Sequence, residues 1–191
     1  MALVLDGTGS MTLGNGAISG LSNAAIPSTK IGAGAVLQVA QAFKTDTFST
    51  ASTSLQDVTG LSATITPISS SSKFLIMLNM TYINSYFVGR VALLRNSTEI
   101  GMADAASNRP RNFLYYSNST NAGSDGQWVR DSMNYLDSPT TTSAITYKIQ
   151  VSARTDGQGG TFYINRSVPD RDTIGYDARG VSSIVVMEIA G

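Results

Sequence analysis

The chain contains no histidine and no cysteine. The lack of histidine removes the commonest general base and every catalytic triad built on it. The lack of cysteine removes disulfides and thiolate nucleophiles, and without either residue a structural zinc site loses its usual ligands. We therefore predict a protein that is not an enzyme, with no catalytic residues, no metal site and no cofactor.

Charge is also scarce. Charged residues make up 14% of the 191 residues, against about 25% in an ordinary soluble domain. The net charge is zero and no run of Lys or Arg is present, so we expect no nucleic-acid partner. The longest apolar runs, residues 74–78 among them, contain five residues and are too short to cross a membrane. The N-terminal residues lack the basic and apolar regions of a signal peptide, so we expect no export by that route. With no apolar run long enough to cross a bilayer, we expect no membrane partner.

Serine and threonine, with 25 and 20 residues, take the place of the missing charges. Threonine favours strands and serine favours turns. Apolar and polar residues alternate with a period of two through much of the chain after residue 35, and no window shows a helical apolar stripe. The predicted strands are 35–43, 61–66, 73–82, 88–95, 99–102, 128–136, 145–151, 162–164 and 181–189. This pattern predicts one all-β domain over residues 36–191, an antiparallel β-sandwich of the jelly-roll kind.

We make more specific predictions for three regions of the chain. The continuous apolar run at 74–78 predicts a strand buried on both faces. The strands 145–151 and 162–164 flank a glycine-rich segment, 156–160, and we interpret them as a β-hairpin. A phosphate cradle is the alternative for that segment, but no helix and no P-loop lysine accompany it. We interpret residues 103–127 as a long surface loop with room for a short strand at 112–116.

Residues 1–35 differ from the rest of the chain. They are rich in Gly, Ser, Ala and Thr, and their only charged residues are Asp6 and Lys30. Such a composition does not form a core by itself. The alternatives are a flexible tail and an extended attachment arm held by neighbouring subunits, and we predict the arm. Its apolar residues would contact the partner: Leu3, Val4, Leu5, Met11, Leu13, Ile18, Leu21 and Ile26.

The carboxylates offer little for catalysis. Asp170 and Asp172 are the nearest pair that a glycosidase mechanism could use, but Arg171 lies between them and the segment is typical of a turn. We interpret it as a solvated loop. Four asparagines begin the Asn-X-Ser/Thr glycosylation pattern, as chance predicts in so Ser- and Thr-rich a chain: Asn79, Asn96, Asn118 and Asn165.

Two groups of residues are candidates for contacts. The first combines arginines with aromatic residues, which are enriched at binding hot spots: Arg109, Arg111, Tyr115, Tyr116, Trp128 and Arg130. We favour a subunit contact for this group, with Phe113 and Trp128 in the core, over a glycan site. The second group fits either a subunit interface or ordinary core: Met77, Met80, Tyr82, Tyr147, Tyr163 and Met187.

Several strand and turn phrases resemble virion structural proteins of tailed bacteriophages, many of them from marine and cyanobacterial hosts. The resemblance covers about residues 36–191 and contains no catalytic motif. The phrases are VLQV at 36–39, KTDTFST at 44–50, DVTGL at 57–61, LDSP at 136–139, TYKIQV at 146–151, YINRS at 163–167 and SSIVVMEI at 182–189.

The resemblance implies a jelly-roll domain similar to the trimeric tumour-necrosis-factor and C1q type. We expect a homotrimeric capsid decoration or cement protein, attached through its arm to the major capsid protein. It would be assembled in the host cytoplasm and lie on the capsid surface of the virion. The alternative is a small tail-fibre or head-fibre knob, attached to tail or neck proteins and binding a host-surface glycan.

Overall fold

The computed structural model describes residues 32–84, 88–117, 128–153, 160–174 and 177–191. Every regular element in these ranges is a β-strand. The strands are β1 (Val36–Lys44), β2 (Phe48–Thr50), β3 (Gln56–Ile65), β4 (Lys73–Asn84), β5 (Val88–Arg95), β6 (Thr98–Ile100), β7 (Leu114–Ser117), β8 (Val129–Asp137), β9 (Ile145–Ser152), β10 (Phe162–Ile164) and β11 (Ser182–Ile189).

The strands form two sheets, and all paired strands are antiparallel. In sheet I the order is β1-β11-β4-β10-β2, and β8 pairs with the other edge of β4. In sheet II the order is β3-β9-β5-β6, and β7 pairs with β5 beside β6. Each sheet therefore combines strands from early and late parts of the chain, as a jelly roll does. The predicted all-β sandwich is confirmed.

The core lies between the inner faces of the two sheets. Along β4, the alternate residues Phe74, Ile76 and Leu78 are fully buried, because the pleat turns every second side chain inward. Phe74 meets Tyr147 of sheet II with ring centroids 6.0 Å apart. This inner layer fixes, by alternation, which residues of each strand face outward.

The predicted hairpin at 144–165 is wrong. Strand β9 lies in sheet II between β3 and β5, whereas β10 lies in sheet I between β4 and β2. The connection between them therefore crosses from one sheet to the other, and the strands do not pair with each other. The glycine-rich segment predicted as the turn lies mostly outside the described residues, although Gly160 has a φ of 113°.

Other local predictions fare better. The predicted hairpin at 88–102 is confirmed, since β5 pairs with β6 through a turn in which Asn96 has a φ of 55°. A short strand does interrupt the predicted loop at 103–127, at β7.

Strand β4 is central, but only its inner side is fully buried. Leu75 and Met77 on its outer side are half-buried, because no further layer covers them in the described part of the chain.

Asn165 forms a buried polar centre where three strand ends meet. Its Nδ2 donates to the carbonyl oxygens of Lys44 and Asp46, each at 3.0 Å, and its Oδ1 accepts from Ser182 Oγ at 2.7 Å. Its backbone φ of 61° lies in the left-handed region that asparagine tolerates. Because Asn165 is fully buried, its amide is not accessible for glycosylation in the folded protein.

Candidate functional site

The outer face of sheet I carries a continuous uncharged surface built by four adjacent strands. These are β1, β11, β4 and β8, in that order across the sheet. Three consecutive outward positions of each strand lack a charged residue, and we call these twelve positions the uncharged face. They are Val39, Gln41 and Phe43 of β1, Ser183, Val185 and Met187 of β11, Leu75, Met77 and Asn79 of β4, and Ser132, Asn134 and Leu136 of β8.

The strand register aligns these positions in three rows. Directly paired residues of adjacent antiparallel strands have Cβ atoms about 4.5–5.5 Å apart, so each row is a line of neighbouring side chains. The second and third rows mix apolar residues with amides and hydroxyls. The first row, which we call the apolar ridge, consists of Val39, Met187, Leu75 and Leu136.

Several apolar side chains of this face are open to solvent. Val39 is 56% exposed, Phe43 59% and Leu136 52%. Single exposed apolar residues are ordinary on a protein surface, but a contiguous group marks a contact site. The uncharged face is therefore suited to contact with another protein surface.

Charged residues lie at the two ends of the uncharged face. Lys73, at the start of β4, and Arg130, on β8, are both exposed and occupy the next outward positions of their strands. An uncharged centre with charged residues around it is the usual composition of a protein–protein interface.

The structure separates the second predicted contact group by strand face. Met77 and Met187 belong to the uncharged face, whereas Met80, Tyr82 and Tyr147 are core residues, each 2% exposed or less. Tyr163, on β10, is half-buried. The guanidinium of Arg166 lies over its ring, 5.0 Å from the ring centroid. The sequence does not identify Val39 and Leu136, the exposed residues of the apolar ridge, as contact candidates. Their alignment depends on the register between β1, β11, β4 and β8.

The predicted arginine–aromatic group does not form one cluster. Arg109, Arg111 and Tyr115 lie on β7 or in the loop before it, in sheet II. Trp128 directly precedes β8 and is half-buried, so its predicted place in the core is wrong, and Arg130 lies on β8, in sheet I. Phe113 is a core residue at 7% exposure, as predicted. The Tyr116 side chain lies outside the part of the chain that the structure describes.

Two of the three sheet II residues, Arg109 and Tyr115, line a concavity of about 400 Å³ beside β7. Arg111 is held by a hydrogen bond of 2.6 Å from its Nε to the Ala103 carbonyl oxygen. Tyr115 is 48% exposed and pairs across the sheet with Arg90. The described lining residues are Ala103, Arg109, Pro110, Asn112, Phe113 and Tyr115.

Two carboxylates of the 165–180 loop, Asp170 and Asp177, are engaged by arginines, whereas Asp172 is exposed and pairs with no arginine among the described residues. Asp170 lies 3.0 Å from Arg179 and 3.5 Å from Arg166, with a backbone φ of 51°. The hydrogen bond from Arg171, followed by that from Ser167, holds the pKa of Asp177 below its ordinary value. A carboxyl kept ionised in this way does not suit general-acid catalysis. The arrangement is that of an ion-paired surface loop.

The two glutamates occupy unlike positions. Glu99 is a quarter exposed and pairs with Arg90. Glu188 is fully buried and accepts hydrogen bonds from Gln38 Nε2 at 2.5 Å and from the Ile68 amide at 2.8 Å. Burial tends to raise the pKa of Glu188, but the surrounding donors, with Ser72 contributing most and then Gln38 and the backbone of Ile68 and Ser69, together outweigh burial, and the pKa lies below its ordinary value. Glu188 ties the loop before β4 to sheet I.

Some predicted features lie beyond what the structure describes. The eight apolar residues of the predicted arm all fall outside the described residues. Within the described ranges, no group of three or more acidic, His or Cys side chains is placed to hold a metal ion. A search of the same ranges finds no helix with the length and apolarity needed to span a bilayer.

The chain was also compared with known proteins. No protein-family model matches it, and the comparison with curated proteins gives no significant match.

Proposed function

We propose that the protein is a non-enzymatic structural component of a tailed-bacteriophage virion, in which copies of the chain associate through the uncharged face. The most economical form of this proposal is a homotrimeric capsid decoration or cement protein. The observation that carries it is the apolar ridge, four aligned apolar side chains on a sheet face that nothing covers in the described part of the chain.

A second copy of this chain is the partner that best fits the uncharged face. The face carries no charge of either sign, so it offers no electrostatic complement to an acidic or basic partner. Its mixture of Val, Leu, Met and Phe with amides and hydroxyls matches the composition of subunit interfaces. Closed cyclic symmetry is the usual outcome when copies of one chain associate.

The size of the face is consistent with a central interface patch. A standard interface uses about 20–30 residues on each side, and the uncharged face supplies twelve contiguous positions before any bordering residue is counted. Lys73 and Arg130 would then belong to the polar border of the contact.

The virion context rests on the resemblance of the strand and turn phrases over residues 36–191. The sandwich carries an uncharged contact surface, and its charged loops form ion pairs among themselves. Residues 1–35 precede β1 and supply the attachment to the major capsid protein in this proposal. A tail-fibre or head-fibre knob attached to tail or neck proteins shares the same architecture and differs in its position on the particle.

Deletion of residues 1–30 separates attachment from folding. The truncated protein should remain folded and oligomeric, because the described strands all follow residue 35, but it should no longer join the particle. Mass spectrometry of purified virions, after complementation with either form, measures incorporation. Full-length protein is the matched control.

Incorporation of the truncated protein at the normal level would show that residues 1–30 are not the attachment segment. Immunogold labelling of intact virions distinguishes the two positions. Label over the whole shell supports decoration, label at one vertex supports a tail or neck location, and the absence of label from virions contradicts the proposed function.

A further inference from the structure

We propose that the concavity beside β7 binds an acidic saccharide, a sugar that carries a carboxylate. Its volume of about 400 Å³ falls in the range of about 300–1,000 Å³ that is usual for small-ligand sites. The proposal concerns sheet II and the loop before β7. It does not depend on where the protein sits on the virion or on whether copies associate through sheet I.

The concavity offers apolar surface for the C–H face of a sugar ring. Tyr115 is an exposed aromatic residue on a strand, so the sheet holds its backbone in place. Pro110 and Ala103 line the same space. An aromatic ring presents a large, rigid, partly apolar surface with a polar hydroxyl at its edge, which is the combination that a pyranose requires.

Arg109 supplies a cation for a carboxylate. Its side chain is exposed and, among the described residues, its guanidinium has no acidic partner and no hydrogen bond. The neighbouring arginines are already engaged: Arg111 with the Ala103 carbonyl, and Arg90 with Glu99 and with the Arg111 carbonyl at 3.0 Å. A guanidinium binds carboxylates with directional, charge-assisted hydrogen bonds. This pattern of engagement favours an acidic sugar over a neutral one.

Asn112 supplies an acceptor without a donor. Its Nδ2 donates to the Pro110 carbonyl oxygen at 3.2 Å, but its Oδ1 is buried and has no partner in the described part of the chain. A buried acceptor without a partner is costly. Because Oδ1 has almost no exposed surface, a sugar hydroxyl reaches it only when the Asn112 side chain turns toward the concavity.

The concavity and the uncharged face belong to different sheets. The outer faces of the two sheets of a sandwich point in opposite directions, so contact centred on sheet I does not require the residues of the concavity. A particle that displays many copies would present many such sites, and weak single-site binding would be multiplied by avidity.

The test is a titration of the full-length protein by NMR or calorimetry with trigalacturonate and with its methyl ester. The two probes share one carbon skeleton and differ in charge. A second pair, sialyllactose and its methyl ester, makes the same comparison with another acidic sugar. We expect binding of at least one acidic probe and much weaker binding of its neutral counterpart.

Three variants localise the binding. Arg109→Ala and Tyr115→Ala should each weaken acidic-probe binding about tenfold, by loss of a charge-assisted hydrogen bond or of stacking surface. Arg130→Ala is the matched control, because it removes an exposed arginine from sheet I, and it should leave binding unchanged. Circular dichroism verifies the fold of each variant, and shifts of the Arg109 and Tyr115 amides in the native protein locate the probe independently.

Three results would overturn the proposal. One is the absence of binding of both acidic probes at millimolar concentration. Another is binding that Arg109→Ala and Tyr115→Ala leave intact, with no amide shifts in the loop before β7. The third is equal binding of acidic and neutral probes, which would remove the assignment of Arg109 to a carboxylate. None of these results bears on association through sheet I.

Discussion

The outer faces of the two sheets differ in how their side chains are partnered. On sheet II, Lys148 Nζ lies 2.8 Å from Asp57 Oδ1, and Gln150 donates to the same carboxylate at 2.7 Å. Leu94, an apolar residue on that face, is only 4% exposed. On sheet I, the uncharged face has no ion pair; the side-chain hydrogen bond described between its residues runs from Ser132 Oγ to Asn79 Oδ1 at 2.6 Å, and Leu136 is half exposed.

This difference assigns separate roles to the two faces. Side chains that pair with one another on a solvated face gain little from a protein partner, because a partner must first displace the water around them. An exposed apolar surface gains about 25 cal/mol per Å² when it is covered, before the cost of association is subtracted. In the proposed association, sheet I is the face that gains from a neighbouring copy, and the paired side chains of sheet II stay outside that contact.

The largest expected effect comes from placing charge at both ends of the apolar ridge. In the double variant Val39→Asp/Leu136→Asp, association should weaken at least about a hundredfold, since an unpaired carboxylate in an interface opposes association. Both positions are exposed in the single chain, so its stability should change by less than about 0.5 kcal/mol each. Multi-angle light scattering across a concentration series measures the association.

A charge on the other face is the matched control. Thr64 is exposed on the outer face of sheet II, where it pairs with Thr146. The variant Thr64→Asp should therefore associate like the native protein. A native protein that stays monomeric at high concentration, or a double variant that assembles normally, would show that the uncharged face is not the interface.

The next largest effect is expected at Glu188. This residue lies on the inner side of β11, next to Met187 of the uncharged face. The variant Glu188→Ala leaves the Ile68 amide without its acceptor and removes one of the two acceptors of Gln38 Nε2, which also donates to the Thr66 carbonyl oxygen. We expect a loss of about 2 kcal/mol in the free energy of unfolding and a fall in Tm of roughly 6 °C. Glu99→Ala, at a partly exposed ion pair, should cost less than about 1 kcal/mol. Equal costs would contradict the structural role of Glu188.

The contribution of Glu188 should depend on pH in one direction. Its pKa in the folded state is lowered from the ordinary value of 4.5, so the carboxylate stabilises the fold above that value. This stabilisation is lost as pH falls through the folded-state pKa. The stability difference between native protein and Glu188→Gln should thus be constant near neutral pH and shrink at acidic pH, as measured by urea unfolding.

The smallest effect is expected on sheet II. The variant Lys148→Ala removes a solvent-screened ion pair with Asp57, which should cost less than about 0.5 kcal/mol. Hydrogen bonds from Lys148 and then from Gln150 hold the pKa of Asp57 below its ordinary value of 3.8. In the variant, NMR titration should find the Asp57 carboxyl closer to that value. Weakened association of this variant would contradict the division of roles between the faces.

Strand positions were predictable because alternation is local. The patterns at 73–82, 145–151 and 181–189 place β4, β9 and β11 within about two residues at each end. A strand with one buried side must alternate regardless of which strand lies next to it. The residues of a single segment therefore contain the whole signal.

Strand pairing was less predictable, and the connection between β9 and β10 shows why. A glycine-rich segment between two alternating strands fits a hairpin and a crossing between sheets equally well. The pairing partners decide between the two: β9 pairs with β3 and β5, whereas β10 pairs with β2 and β4. These partners are distant in sequence, so no local pattern indicates them.

The candidate sites show the same limit. Met77 and Met80 lie three positions apart and so face opposite sides of β4, but the sequence does not say which side is outward. The apolar ridge appears only when four strands are placed in register. At the concavity, Arg109 and Tyr115 were predicted from residue type. Asn112 was not, because an unpartnered buried oxygen is a property of the packing.

The position of β11 has a consequence for the timing of assembly. It lies between β1 and β4 in sheet I, yet among the described strands it is the last to leave the ribosome. Until it is inserted, the β1 and β4 parts of the uncharged face are separated by a gap. Nascent chains still under synthesis therefore cannot present this surface to one another. In the proposed association, contact through sheet I is a step that only chains carrying β11 can take, and chains that end before β11 are excluded from it.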